Sequence, residues 1–549
     1  MESVRRERLW GGLAGGLLAV CVLLLYAVAI ALGDLNQDEG WYLYAGRLVH
    51  DGKHPFLDFA STQGPVMAYV YGLAYPLVAA FGVVGGRLFT ALCGVVTLLL
   101  TALLAARMAA SGGGDRRGPG LAGLLAAGLL GLNLYHVYFT SLVKTYGLAG
   151  LLAVLGFLGL ERALRAADRR SSGGFGYGAA AAACFALAAG TRLSAGVLLP
   201  GVWLPLAVVW WRGGDGRSGL RPVLAGMLAG GTAVLAVVFL PFLLTAAAAV
   251  AFGLLEYHSG RQVGGVPVLL AYKAGFLLRL CASYFPVLAI GTVGLAGRLL
   301  STGKGTAAPV RCYLPLVMGS GVAGVTAVHL AAPFPYDDYQ VFVIPCVVLL
   351  AAVPAASLLA RLQMTPGRRS ALVASLLVLM LVHSASSPLL QSWVTAGRDR
   401  IWWPLRTETS LQGLHRAAAA VREASGAVSD DVLLTQDTYL AVETGMHVPE
   451  GMELGPFCFF PGLDDEQASR YRVLNETRLI ALLESGPTEV AAFSGYGMSI
   501  RAPGITPVDT DMARRLETAL LSQYAPVAQM ENFGQGETTL RIYKRRTFP

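Results

Sequence analysis

Eleven stretches of this chain are apolar over the length a helix needs to cross a membrane. They lie near residues 12–32, 87–108, 119–140, 146–162, 175–191, 194–211, 222–247, 275–297, 312–332, 339–360 and 370–390. Some 20 residues of helix cover ~30 Å of hydrocarbon. Such a chain cannot hide its apolar surface in one water-soluble core, so it is expected to fold as a polytopic α-helical membrane protein of about 11 spans. Composition agrees, since only 14% of its 549 residues are charged, against about 25% in a soluble domain. Glycine is plentiful, at 67 residues, but follows no collagen-like period.

A twelfth run, 66–83, is also long enough to cross, and counting it would invert every later loop. The basic residues decide. If 66–83 stays out of the membrane core, 19 Lys and Arg fall in cytoplasmic segments and eight on the other side, as the positive-inside rule requires. Residues 33–86 then form the first outer loop, with 66–83, which carries Tyr69, Tyr71 and Tyr75, as an interfacial helix. Ala29-Ile30-Ala31 resembles a signal-peptidase site, but the apolar run before it is long, and an uncleaved first span is expected. The net charge of +8 reflects this topology, because the basic excess sits among apolar segments; no nucleic-acid partner is implied.

An odd number of spans beginning inside leaves residues 391–549 outside. Short strand patterns at 432–435, 490–493, 527–530 and 540–543, and amphipathic helix patterns at 408–424, 466–483 and 510–523, predict an extracytoplasmic α/β domain. Trp393, Trp402 and Trp403 mark its boundary with the membrane portion, residues 1–390. Six of the seven Cys lie in or beside apolar runs, so no disulfide framework or paired-Cys metal motif is available.

The outer loops hold polar groups that an anchor would not need. Asp38 and Glu39 follow the first span directly, and Arg47, His54 and Gln63 follow in the same loop. A carboxylate beside low dielectric is tuned by desolvation and nearby cations, which suits a general base; the plainer reading of this pair is a helix cap. Lys144, Arg192, Tyr257, His258, Arg261, Arg279, Asp337, Asp338 and Tyr339 fall on the same side. Cations at this boundary can hold a lipid-borne phosphate, although a long side chain there can also simply snorkel. Arg279 stands several residues inside an apolar run, where a charge is costly. His136, His329 and His383 read as interior residues. No metal site is expected. Asp38-Glu39 and Asp337-Asp338 supply oxygen ligands for a divalent cation only if the two pairs meet. No nucleotide-binding motif is present, so an activated lipid is the expected energy source.

The basic N-terminus, single span, acidic pair Asp38-Glu39 followed by aromatics, Arg47, the approach to an interfacial helix and Arg87 opening the second span together resemble the GT-C membrane glycosyltransferases. The likeness is to the dolichyl-phosphate-mannose–protein mannosyltransferase family and its bacterial relatives, including the lipid A aminoarabinose transferase. That resemblance implies a GT-C-like domain over 1–390, in a bacterial or archaeal plasma membrane. It implies inverting transfer of a sugar from a polyprenyl-phosphate carrier to a protein, lipid or glycan acceptor, with Asp38 as base; no cofactor is expected from the motifs present, and a divalent metal is left open. Donor-phosphate contacts are assigned to Lys144, Arg192, Arg279, His258 and Arg261. Arg47, His54, Gln63, Tyr257, Asp337, Asp338 and Tyr339 are assigned to the substrate cavity, and Glu39 is grouped with Asp38 as catalytic. One departure stands out: Gln63-Gly64-Pro65 replaces the Lys-Pro-Pro or His-Pro-Pro of many relatives, so no phosphate contact carries over there. A transporter or flippase of a lipid-linked sugar is the alternative, and a scaffold with an outer binding domain a weaker third.

Overall fold

The computed structural model describes residues 2–111, 118–213, 217–259, 264–300, 309–333, 335–362, 364–397, 402–426, 432–486, 488–495 and 508–547. Among them, ten helices are long and apolar enough to cross a membrane, and two further apolar helices, Gly118–Gly131 and Phe285–Ala296, are shorter. The chain is an integral, polytopic membrane protein.

The first span, α1 (Glu2–Leu32), leads into α2 (Gln37–His50), which begins at a capping box. The Asn36 side chain accepts from the first turn while Asn36 N–H donates to Glu39 Oε2 at 3.1 Å. Next, α3 (Val66–Ser111) runs through a sharp kink at Gly82, where φ is 57° and ψ is −140°. Only glycine takes that conformation without strain, and a Cβ there would lie 2.2 Å from the Glu443 carboxylate. The kink separates the segment expected at the interface from the span that follows it.

All but two of the expected spans are single long apolar helices. The run at 119–140 is divided into α4 (Gly118–Gly131) and α5 (Leu134–Phe139). Asn133 causes the break: its side-chain oxygen accepts from His136 N–H at 2.9 Å and starts α5. After it come α6 (Thr145–Asp168), α7 (Gly174–Thr191), α8 (Leu198–Gly213) and α9 (Leu220–Thr245). Helix α6 is central, with Phe157, Leu160 and Leu164 fully buried. Small residues dominate α7, which lets its neighbours approach closely. Two short helices, α10 (Ala247–Ala251) and α11 (Tyr257–Ser259), flank a π-helical turn.

The run expected as one span at 275–297 is two helices, α12 (Val266–Ser283) and α13 (Phe285–Leu300), broken at Tyr284. Lys273 donates to Ala332 O, Arg279 pairs with Asp337, and Ser283 O accepts from Asn133. These partners all lie at the end of the bundle that carries the C-terminal domain, so α12 crosses that end rather than descending through the bundle. The rest of the membrane portion is α14 (Leu314–Ala331), a 3₁₀ segment Asp337–Val343, α15 (Ile344–Arg361), α16 (Pro366–Ala385) and α17 (Pro388–Val394).

The C-terminal domain is α/β. Its strands β1 (Leu433–Leu434), β2 (Val490–Phe493), β3 (Tyr524–Phe533) and β4 (Thr538–Arg545) form one sheet in the order β1-β2-β4-β3, with β1 parallel to β2 and the other pairs antiparallel. Helices α18 (Ser410–Ser425), α19 (Thr438–Thr444), α20 (Asp465–Tyr471), α21 (Glu476–Ser485) and α22 (Thr510–Gln523) complete it. The helix expected over 466–483 is two, because Arg472 adopts a left-handed backbone with φ 60° and Asn475 caps a fresh start.

The domain packs directly on the first loop. Tyr44 and Leu48 of α2 belong to the same buried cluster as Leu433, Leu440 and Val490. Val448 N–H donates to Tyr44 Oη at 2.9 Å, and Arg47 Nη1 donates to Met446 O at 2.7 Å. Helix α2 is thus clamped between α3 of the bundle and α19 of the C-terminal domain, which fixes whatever its N-terminus presents.

Candidate active site

A cavity of about 680 Å³ opens where the first loop, the bundle and the C-terminal domain meet. Lysine 144, at the start of α6, organises it. Lys144 Nζ lies 3.2 Å from Asp38 Oδ2 and 3.1 Å from Asp338 Oδ2. One carboxylate of each acidic pair, Asp38 and Asp338, therefore comes to the same place, and an ammonium occupies the position between them. Burial would lower the Lys144 pKa, but Asp338, then Tyr146 and Asp38, outweigh it and hold the ammonium well above its ordinary value. Tyr146 Oη also donates to Asp338 Oδ2, at 2.9 Å.

Arg192 caps α7 on the same wall. Its guanidinium lies 4.9 Å from the centre of the Tyr146 ring and 4.5 Å from that of Tyr339, and Nη1 donates to Thr145 Oγ1 at 3.1 Å. Its Nε is buried without a hydrogen-bond partner. Gln63, Tyr257 and His258 also line the cavity, and His258 Nε2 is 2.9 Å from Thr62 O.

The two neighbouring carboxylates divide. Asp38 faces the cavity with its side chain 30% exposed, 3.5 Å from the Trp41 indole nitrogen. Glu39 is wholly buried and accepts two bonds from Arg87, at 2.8 and 2.7 Å, besides those from Asn36 N–H and Val143 N–H. A carboxylate with both oxygens so committed cannot reach a substrate proton. Glu39 therefore stands outside the cavity lining, away from the catalytic place expected for it, and the helix-cap reading describes its contacts.

Other expected residues are displaced from the cavity. Arg47 points into the domain contact, where Nη2 meets His447 Nε2 at 2.8 Å. His54 is held outside by Tyr69 Oη, at 2.9 Å from Nδ1, and by the Asp58 carboxylate. Arg279 is not inside a span: its side chain is 53% exposed at the domain-bearing end and binds Asp337 at 3.0 Å. Asp337, also bound by Tyr135 Oη, lines the cavity. Arg261 lies outside the described residues.

Sequence reasoning passed over Gln37, Trp41, Tyr42, Tyr135, Phe139, His329, Phe457 and Gln535, all of which line the cavity. Trp41 and Tyr42 were signalled by their place beside Asp38. His329 is interior as expected, yet it also lines the site. Phe457 and Gln535 come from the C-terminal domain, and nothing local in the sequence marks them. Among the described residues, no group of three or more His, Cys, Asp or Glu is placed to hold a metal ion.

No protein-family model and no curated protein matches the sequence. Solved structures do. The apo crystal structure of ArnT from Cupriavidus metallidurans superposes with a TM-score of 0.60, over 96% of this chain and 97% of that one, at 15% identity. The same enzyme bound to undecaprenyl phosphate gives 0.59, with the same coverage and identity. The fold is GT-C. A GT-C chain shares its whole architecture here, including the C-terminal domain, while the side chains of the two sequences have largely diverged.

Proposed function

We propose that the chain is a membrane glycosyltransferase that moves one sugar from a polyprenyl monophosphate to an acceptor on the outer face. The observation that carries this reading is the convergence of Asp38, Asp338, Lys144 and Arg192 in one cavity. That ArnT, with the same fold, has been captured with undecaprenyl phosphate supports a polyprenyl phosphate as the donor carrier.

Asp38 acts as base on the acceptor hydroxyl or amine, whose lone pair attacks the anomeric carbon from the face opposite the phosphate. The proton passes to Asp38, the new glycosidic bond forms, and the carbon–oxygen bond to phosphate breaks with inversion. As the sugar gains oxocarbenium character the phosphate takes up charge, and Lys144 and Arg192 stabilise it. Lys144 touches the base as well as facing the leaving group, so the two halves of the reaction share one cation. Tyr146 and Asp338 hold that cation in place.

The positive-inside count supports an orientation in which this end of the bundle, with the C-terminal domain, lies outside the cytoplasm. A transporter would need polar groups along a path through the bundle, whereas these gather at one end. Mass spectrometry of lipid co-purified with the protein, followed by transfer assays with the lipid-linked sugar found, tests the reading. A bound polyprenyl phosphate and sugar transfer are expected; a protein that binds no polyprenyl phosphate, or moves the lipid without cleaving it, overturns it.

A further inference from the structure

The side of the cavity furnished by the C-terminal domain has a different chemistry from the Lys144 cluster. Gln37, at the start of α2, is 6% exposed, and its side-chain amide nitrogen is buried without a hydrogen-bond partner. A buried donor left unpaired costs free energy that a ligand oxygen can recover. Beside it, Gln535 Oε1 accepts from Gln37 N–H at 3.0 Å, which fixes a second carboxamide at the cavity wall. Trp41 stands next to them, its ring edge-on to Phe457 at 6.5 Å.

Gln535 is held firmly. It sits in the loop between β3 and β4, where Gly534 has a φ of 67° and packs so closely on Tyr439 that a Cβ would lie 2.3 Å from its hydroxyl. Glu537 on the other flank pairs with Arg406, which also reaches Asp34 of the first loop at 3.6 Å. The hairpin tip is therefore tied to both the domain and the first loop.

We propose that Gln37, Gln535, Trp41 and Phe457 form a subsite for a neutral, hydroxyl-rich sugar ring, and that this ring belongs to the acceptor. Carboxamides both donate and accept, which suits the paired roles of a hydroxyl. They carry no charge to favour a phosphate or carboxylate. The aromatic rings offer an apolar wall to the C–H face of a pyranose or furanose. A ring held against Trp41 shares the cavity with Asp38, whose carboxylate lies 3.5 Å from the Trp41 indole nitrogen, so a bound hydroxyl meets the base. This assignment rests on the glycosyl-transfer reading above.

Saturation-transfer-difference NMR on the full-length protein in lipid nanodiscs tests it, with a panel of methyl glycosides: neutral pyranosides and furanosides, a glucuronide and a glucosaminide. Neutral glycosides are expected to bind in preference to the charged ones. Gln535→Ala and Gln535→Glu should each reduce the signal at least threefold in protein that remains folded, as judged by a cooperative unfolding transition. Equal binding by Gln535→Ala, a preference for a charged glycoside, or no binding overturns the subsite. Loading the Asp38→Asn protein, which cannot consume the pair, with undecaprenyl phosphate mannose separates the two sources of a sugar ring: persistence of the glycoside signal supports the acceptor, and displacement overturns that assignment in favour of the donor's sugar. Undecaprenyl phosphate binding, measured by native mass spectrometry on the same samples, should be untouched by the Gln535 substitutions. Its failure in the wild type would count against the glycosyl-transfer reading alone.

Discussion

Glu39 and Arg87 form a bidentate ion pair from which water is excluded, both side chains being fully buried. Arg87 also donates to the main-chain oxygens of Ile30, Gly33 and Asp34, so one guanidinium ties the end of α1 to the start of α2. The residue before Glu39 is Asp38. The pair thereby sets the direction in which Asp38 faces.

Removing one partner of a buried ion pair leaves the other charge uncompensated, which costs about 3–5 kcal/mol. Glu39→Gln and Arg87→Met are both expected to lower the thermal unfolding midpoint. Arg87→Met should be the worse, because it also orphans three carbonyls that Glu39→Gln leaves satisfied. Unfolding of the purified variants followed by intrinsic fluorescence checks the order. The reverse order would show that the carbonyl contacts contribute nothing.

Asp38→Asn keeps the side-chain shape while removing most of its basicity. Turnover should fall by roughly 10²–10⁴, the usual worth of a general base, with donor lipid still bound. Steady-state transfer and equilibrium donor binding on the same preparation separate the two effects. A folded Asp38→Asn enzyme with normal turnover would sink the mechanism and reopen the transporter reading.

Topology makes a separate prediction. In a background without native cysteines, single cysteines replacing Arg169, Arg217 and Arg368 should resist an impermeant thiol reagent in intact cells, while those replacing His54 and Glu450 should react. Labelling at 169 but not at 54 would invert the orientation.

The fold was legible because lipid imposes a simple rule: a long apolar run marks a helix. Legibility failed where tertiary context overrode local composition. Asn133 interrupts an apolar run with a cap whose amide also reaches Ser283, 150 residues away in sequence. Residues 275–297 read as one span because the break at Tyr284 is itself apolar enough to pass. The same error made Arg279 look intramembrane.

In the site, Asp38, Lys144, Arg192 and Asp338 were legible as charged residues on one side of a membrane. What the sequence could not separate was Asp38 from Glu39, since adjacent residues on a helix face different directions and only the long-range partner Arg87 decides which is buried. Arg47 and His54 carried the right residue types but serve the domain contact and the outer loop. Gln535 lies 498 positions from its partner Gln37, beyond any local pattern.

Two buried acids in the C-terminal domain predict a pH dependence. Burial raises Glu453 from 4.5 to about 7 and Asp437 from 3.8 to about 6. In the window between the unfolded and folded values the folded domain binds more protons than the unfolded chain, so stability falls as pH rises through it. For Glu453 alone the full effect is on the order of 3 kcal/mol, at 1.36 kcal/mol per pKa unit. The unfolding midpoint should drop between pH 5 and pH 7.5 from these groups, and Glu453→Gln, neutral at every pH, should flatten part of that slope. A variant with the same slope as wild type would remove Glu453 from the account.

Lys144 carries the most exacting prediction, because it touches Asp38 and Asp338 at 3.2 and 3.1 Å. Its ammonium already stands where a divalent cation bridging those carboxylates would sit, so transfer by the wild type should survive chelation. Lys144→Gln removes a charge-assisted contact to the donor phosphate, and donor affinity should weaken by about 1.5–3 kcal/mol, a factor of roughly 10–150 at 1.4 kcal/mol per decade. Turnover should fall too, since the same cation meets the leaving phosphate as its charge grows. Lys144→Gln also leaves two carboxylates facing each other across a vacated position, so Mg²⁺ or Mn²⁺ should raise its unfolding midpoint while leaving that of the wild type unmoved. Loss of wild-type activity with EDTA, restored by either ion, would instead make the carboxylates metal ligands and remove Asp38 from its role as base.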